Sequence, residues 1–298
     1  MSGQGNHIGG MVGFLKGLRL LAEKLLPSHV IVVWEGGGSP RRRAIYPNYK
    51  DGRRPQKLNR YYDDIPDTLG NRNYQIALTI ESLNHVPVQQ IYIEDCEADD
   101  IIGYVARYMF KDESIVIVSS DKDLYQLINE RVVQYSPGQK KIITTSSVKE
   151  KFGVYPQNMS AVRSFTGDPS DGLTGVTGAG FKTMVKRFEK FSLEEPVFVK
   201  DIIQEAKEAT LKSKVKVYRN ISEEEDIVVR NWKLMNLDIK NLSGTQIQKI
   251  NNSVEMFESK KNKMELMRLL NRESVQDFDV DSFFMSIGAG KNRNTHVR

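Results

Sequence analysis

Cysteine is nearly missing from this sequence: Cys96 is the only one in 298 residues. An internal disulfide is therefore excluded, and a metal cluster built on thiolates would need several more. A lone thiol fits a reducing compartment. Long apolar runs are absent too. None approaches the roughly 20 residues that span a bilayer. The opening stretch, MSGQGNHIGG, lacks the charged start and apolar run of a secretory signal. The expectation is a cytoplasmic protein with no membrane attachment.

What is present is ordinary for a globular chain: 39% apolar and 27% charged residues. The length suits one large or two modest domains with a real core. Net charge is +5 and the pI about 9.0. That mild excess fits a polyanionic partner without requiring one.

Residues 8–26 carry apolar side chains at helical spacing and end before Pro27, which predicts an amphipathic helix. Val30 to Trp34 is short, apolar and β-branched, as in a buried parallel strand. Residues 36–60 change character. They hold Pro40, Pro47 and Pro55, and eight basic residues against the single acid Asp51, so they are expected to stand apart from the core. Helical spacing returns at 71–85 and 98–110. Strands are predicted at 88–93, 115–118 and 131–135, with a short helix from Lys122. Strands alternating with helices predict an α/β fold with a mostly parallel sheet covered on both faces. Beyond about residue 145 the pattern is helical, with helices expected at 147–152, 157–166, 180–190, 196–209, 221–235, 244–253 and 258–271. The expected organisation is an α/β core over 1–145, a helical region over 146–285 and a mobile basic tail over 286–298.

Acids gather where strands are predicted to end. The strand at 88–93 runs into Glu97, Asp99 and Asp100, at the start of a helix. One acid there would be read as a cap or a dipole complement. Three in four residues exceed that need. The strand IVIV runs through Ser119-Ser120 into Asp121-Lys122-Asp123. Ligand sites in open α/β sheets collect at such carboxyl ends. Carboxylates packed together repel or take up protons unless a hard cation with oxygen ligands relieves them. Asp168 and Asp171 follow in the turn-forming Gly167-Asp168-Pro169-Ser170-Asp171-Gly172. Next comes Gly175-Val176-Thr177-Gly178-Ala179-Gly180-Phe181-Lys182-Thr183. A glycine hairpin opening a helix can offer N–H groups to a phosphate, or can simply join two helices. Its spacing is not that of a nucleotide-binding loop.

Together, E-A-D-D at 97–100, S-D-K-D-L at 120–124 and G-D-P-S-D-G followed by G-V-T-G-A-G-F-K-T resemble the 5′-nuclease family of flap endonucleases and 5′→3′ exonucleases. G-G-M-V-G-F-L at 9–15 and Y-K-D-G-R-R-P at 49–55 extend the resemblance, which covers roughly residues 8–190. It implies a PIN-like nuclease core with a helical arch at about 36–85 and a helix–hairpin–helix at about 173–190. It implies two divalent ions, Mg²⁺ or Mn²⁺, held by Glu35, Glu97, Asp99, Asp100, Asp121, Asp123, Asp168 and Asp171. Lys50 and Arg53 match basic residues that reach the scissile phosphate. Arg41, Arg42, Arg43, Arg54, Arg163, Gly175, Gly178, Gly180, Lys182 and Thr183 would touch DNA, with room for a K⁺ ion at the hairpin. The implied partner is DNA bearing a 5′ flap, overhang or nick, or an RNA/DNA hybrid. The implied protein is a monomer working beside single-strand-binding and other replication proteins. Tyr46, Tyr49, Tyr61 and Tyr62 can stack on unpaired bases or pack within the arch.

The sequence departs from the family pattern in three places. The family begins with a strand ending in Asp-Gly, and no Asp precedes Val30 here. Glu35 stands where Asp is usual, and Gly172 where Asn is frequent. The expectation is therefore a metal-dependent nuclease of replication or repair. It is either complete apart from an upstream strand or weakened at one ion. The alternative is a structure-specific DNA-binding protein with little or no cleavage. The run LKSKVKVYR, with four basic residues and no acid, can touch duplex DNA or form a solvated face.

Overall fold

The segment GGMVGFLKGLRLLAEKL forms the first helix, α1 (Gly9–Leu25). Leu26 turns left-handed, with φ 48°, and its N–H closes on the Ala22 carbonyl. Pro27 then has no N–H with which to continue the ladder. The structure is a computed structural model that describes residues 1–3, 5–52 and 68–287. After α1 come β1 (Ile31–Trp34), α2 (Pro40–Ile45), α3 (Leu69–Leu83), β2 (Gln89–Tyr92), α4 (Ala98–Tyr104), β3 (Ile115–Val118), β4 (Val132–Ser136) and β5 (Lys141–Ile143). There follow α5 (Thr145–Phe152), α6 (Met159–Thr166), β6 (Gly167–Asp168), β7 (Leu173–Thr174), α7 (Phe181–Arg187), α8 (Val199–Lys212), α9 (Lys216–Glu223), α10 (Glu225–Met235), α11 (Gly244–Glu255), α12 (Lys263–Arg272) and α13 (Val280–Ile287). No described helix is long and apolar enough to cross a membrane.

The chain divides into two compact units. The first holds the described residues of Met1–Trp34, Pro55–Ile93 and Gln248–Arg298. In it β1 pairs with β2 in parallel, from Ile31 opposite Gln89 to Trp34 opposite Tyr92. Met11 and Leu15 of α1, Leu78 and Leu83 of α3, Leu266, Leu269 and Leu270 of α12, and Phe283 of α13 make its core.

The second unit holds Glu35–Arg54, as far as it is described, and Glu94–Ile247. Here β3 pairs with β4 in parallel, and β4 with β5 antiparallel. The parallel alternation expected from the sequence is present, with the strands hydrogen-bonded as β1–β2 and β3–β4–β5. The helix α6 is buried from Met159 through Phe165 and packs on α10. Phe165, Phe188 and Phe191 meet edge to face, with centroids 6.2 and 6.5 Å apart. Rings so placed stabilise the unit by about 1.5–3 kcal/mol each through burial, and they fix α6 as a rigid support.

Three local features differ from the sequence expectation. Residues 36–52 do not stand apart from the core. Ser39 caps α2 by accepting from the Arg42 N–H, and Arg42 and Tyr49 are buried. The predicted helix at 98–110 is α-helical only to Tyr104 and continues as a π-turn over Val105–Met109. The predicted helix at 221–235 is two helices, α9 and α10, joined at Glu224. The tail from residue 288 lies outside the described residues.

Candidate metal centre

Three chain segments of the second unit carry the acids. Glu97 is the residue before α4, extended at φ −79° and ψ 144°, and Asp99 and Asp100 lie in the first turn. Glu35 reaches the same region through backbone pairing. Gly36 N–H donates to the Cys96 carbonyl at 3.0 Å, and Asp95 N–H donates to the Gly36 carbonyl at 2.8 Å.

The second segment follows β3. Asp123 N–H donates to Asp121 Oδ1 at 2.8 Å, and Asp121 N–H donates to Ser119 Oγ at 3.0 Å. Gln134, fully buried on β4, donates its amide to the Ser119 and Asp121 carbonyls, each at 2.8 Å. This side chain locks the acidic turn, and the sequence reading missed it. The signal was available: Gln134 is a polar residue inside the strand VVQYS.

The third segment is the hairpin of β6 and β7, where Gly167 faces Thr174 and Asp168 faces Leu173. Its chains cross at Gly167 and Gly175. A Cβ on either would lie under 3.0 Å from the backbone of the opposite chain. Asn231 of α10 donates to the Ser164 and Thr174 carbonyls, at 3.1 and 2.8 Å, and so ties α6 to β7. Asp168 Oδ1 accepts from Ser170 N–H at 2.9 Å and from Ser170 Oγ at 2.7 Å. Asp171 is 3% exposed.

These segments bring Asp123, Asp168 and Asp171 together, with one oxygen of each within 4.8 Å of the others. Burial, reinforced by Asp121, Asp123 and Glu35, pushes the Asp99 carboxyl up to about 8, against the pull of Lys50. Burial also pushes Asp123 up to about 6. Arg163 opposes that rise, while Asp121, Asp168 and Asp171 add to it. Carboxylates held this way favour a positive charge among them. The donors are all oxygen, which suits a hard divalent cation.

Protein cations already answer part of the charge. Arg42, 2% exposed, makes a two-pronged pair with Asp100, lies 3.5 Å from Glu97 Oε2, and donates from Nε to the Leu234 carbonyl at 2.8 Å. Burial works against the guanidinium's charge, but Asp100 and Glu97 outweigh it and raise its pKa. Asn241 donates to Asp100 Oδ1 at 2.8 Å. Arg42, expected to touch DNA, is thus committed inside the protein. Lys50 Nζ sits 2.9 Å from Glu97 Oε2, and its N–H donates to the Asp171 carbonyl at 3.1 Å. Its backbone is left-handed, at φ 64°. Tyr49, read as a stacking or packing aromatic, is buried and donates its hydroxyl to Glu97 Oε2 at 3.3 Å. Arg163 Nη2 pairs with Asp123 Oδ1 at 2.8 Å and with Asp168 Oδ2.

The remaining DNA-facing residues divide. Arg41 is exposed and donates to Asn241 at 2.6 Å, and Arg43 is exposed. Gly178, at φ 82°, and Gly180 face open space, and Lys182 beside them is exposed while Thr183 is half-buried. Gly175 is half-buried at the chain crossing, where an added Cβ would meet the Phe165 and Thr166 backbone. Asn220 donates to the Thr177 carbonyl at 2.8 Å, bracing the hairpin from α9. Tyr46 is half-buried, with the Arg230 guanidinium 4.5 Å from its ring centre. Arg53, Arg54, Tyr61 and Tyr62 lie outside the described residues.

Residues 1–153 match the family described as 5′-3′ exonuclease, N-terminal resolvase-like domain. A 5′-3′ exonuclease of Aquifex aeolicus is 32% identical over 62% of this chain, which spans 60% of that protein's length. DNA polymerase I of Bacillus subtilis is 29% identical over 73% of this chain and 24% of its own length. Among solved structures, the bacteriophage T5 flap endonuclease, a pseudo-enzyme-product complex with DNA and metal ions, aligns with TM-score 0.65 at 20% identity. That alignment covers 83% of this chain and 90% of the phage protein, a likeness of fold.

Proposed function

Because this chain belongs to the 5′-3′ exonuclease family, we propose that it hydrolyses DNA phosphodiesters at 5′ ends or flap junctions, using Mg²⁺ or Mn²⁺. The observation that carries the reading is the gathering of Asp123, Asp168 and Asp171 oxygens within 4.8 Å, beside an Asp99 whose carboxyl is pushed up to about 8. One ion would be held by Asp123, Asp168 and Asp171, the other by Glu35, Glu97, Asp99 and Asp121. Bound divalent ions supply a hydroxide near neutral pH and neutralise charge on the phosphate and the leaving oxygen.

The chain's own groups do the rest. Lys50, held by Glu97 and the Asp171 carbonyl, carries a positive charge at the edge of the carboxylates and orients the scissile phosphate. Tyr49 and Arg42 hold the Glu97 carboxylate, and Gln134 holds the Asp121 turn. Preorganised charge of this kind does not have to reorganise as the reaction proceeds. Gly178, Gly180 and Lys182 offer amides and a cation to the duplex backbone, a contact that carries no base preference. A role in removing primers or flaps during replication or repair follows from that substrate. The family likeness to DNA polymerase I supports it.

The test is a Mg²⁺ and Mn²⁺ titration of cleavage on a 5′-labelled flap duplex. Cleavage that rises with either ion and stops with a chelator is the expected result. Flap binding without cleavage under both ions would sink the proposal in favour of a DNA-binding role.

A further inference from the structure

Arg163 stands in an unusual place. Its helix, α6, is buried along its length, so its position is set by packing rather than by solvent. Its Nη2 is paired with two of the three clustered carboxylates, Asp123 and Asp168. Its Nε is buried and has no hydrogen-bond partner. A purely structural arginine would be expected to fill its donors, because an unsatisfied buried donor is costly. Arg163 instead places one end against the acids and leaves a donor open.

A guanidinium and a divalent ion compete for the same negative charge when both lie against Asp123 and Asp168. An ion takes carboxylate oxygens at roughly 2.0–2.6 Å, and its charge repels the guanidinium. We propose that Arg163 is a resident counter-ion of the Asp123–Asp168–Asp171 group, which gives way to a divalent ion and then pairs with a DNA phosphate. This inference rests on the nuclease reading and deepens it. While the ion is absent, Arg163 keeps the acids together and weakens ion entry. Once displaced, it carries a free planar fork suited to a phosphate. Ion and DNA then tighten each other's binding through one side chain, because such coupling is reciprocal.

The experiment measures Mn²⁺ binding by electron paramagnetic resonance of the free ion. The full-length protein is used, as wild type, Arg163→Gln and Arg163→Lys. Each is titrated alone and with the cleaved product duplex, which is not consumed. Without DNA, Arg163→Gln should bind its weaker Mn²⁺ at least five-fold tighter than wild type, and Arg163→Lys should stay near wild type. With product duplex, wild type should tighten by a similar factor while Arg163→Gln barely changes, so the gap closes. A merely structural arginine would not alter the dependence on DNA. Thermal melts of the three proteins in chelator show whether the variants fold. If Arg163→Gln does not, the wild-type and Arg163→Lys response to DNA decides. The inference is overturned if Arg163→Gln binds Mn²⁺ no tighter, or if DNA tightens Mn²⁺ equally in wild type and Arg163→Gln. It is also overturned if DNA leaves Mn²⁺ binding by wild type and Arg163→Lys unchanged. A wild type that binds no Mn²⁺ sinks the nuclease reading as well.

Discussion

Arg42 and Asp100 face each other inside the second unit, guanidinium to carboxylate, with both Asp100 oxygens engaged. Asp100 is therefore an acid whose lone pairs serve the fold. A buried pair that loses one partner leaves an uncompensated charge, which costs about 3–5 kcal/mol. Arg42→Met and Asp100→Leu should each lower unfolding stability by that order. The double variant should lose much less than the sum. Denaturant melts of the four proteins measure this, and additive losses would refute the coupling.

Asp121→Asn with Asp123→Asn should lower flap cleavage more than about 100-fold, the scale at which preorganised electrostatics act. The turn they occupy remains held by Gln134, so far-ultraviolet circular dichroism should be unchanged. Retained cleavage in a folded double variant would remove these acids from the site.

Stability in a chelator should fall as pH rises from about 4 to about 8. Asp99 and Asp123 have carboxyls raised to about 8 and about 6 in the folded protein. The folded state therefore holds more protons than the unfolded one in that window, and stability decreases with pH there. Mn²⁺ should reverse the trend, because it binds the deprotonated acids and releases protons. Melting temperatures across pH, with and without Mn²⁺, test both signs.

Gly175→Ala and Gly180→Ala should behave differently. The first drives a Cβ into the backbone of Phe165 and Thr166, whereas the second meets open space. Gly175→Ala should abolish soluble folded protein. Gly180→Ala should fold normally and, together with Lys182→Ala, weaken duplex binding in a salt-dependent way. Fluorescence anisotropy at two salt concentrations reads the second effect.

Lys50→Ala should slow single-turnover cleavage more than it weakens flap binding. The Lys50 side chain lies against the Glu97 carboxylate, and the proposed function assigns it to the reacting phosphate. Equal losses in rate and affinity would assign it to binding alone.

Much of this arrangement was readable in the residues, and the parts that were not have physical causes. The periodicity of α1 and the apolar runs of β1 and β3 gave those elements directly, because a one-sided or buried surface leaves its period in the sequence. The acids stand out in the sequence because three in four residues exceed what capping needs, and the structure gathers Asp123, Asp168 and Asp171. Arg42 was misread because a buried arginine looks like a surface one until its partner, 58 residues later, is known. Gln134 and Asn231 went unnoticed for the same reason: their work is to bond carbonyls remote in the chain. Gly175 stays ambiguous in the sequence, because a crossing of chains and an approach to a ligand both ask for glycine.

Lys50 joins two of the acidic segments, through its side chain at Glu97 and its backbone N–H at Asp171. Its left-handed backbone is costly for a lysine and persists only when the surroundings impose it. A chain in which either segment has not yet folded lacks one of those constraints, so its lysine relaxes away from the place that the proposed function gives it. An enzyme that cuts DNA would thus stay harmless during synthesis and after partial unfolding, becoming a hazard to its substrate only when the whole second unit is in place.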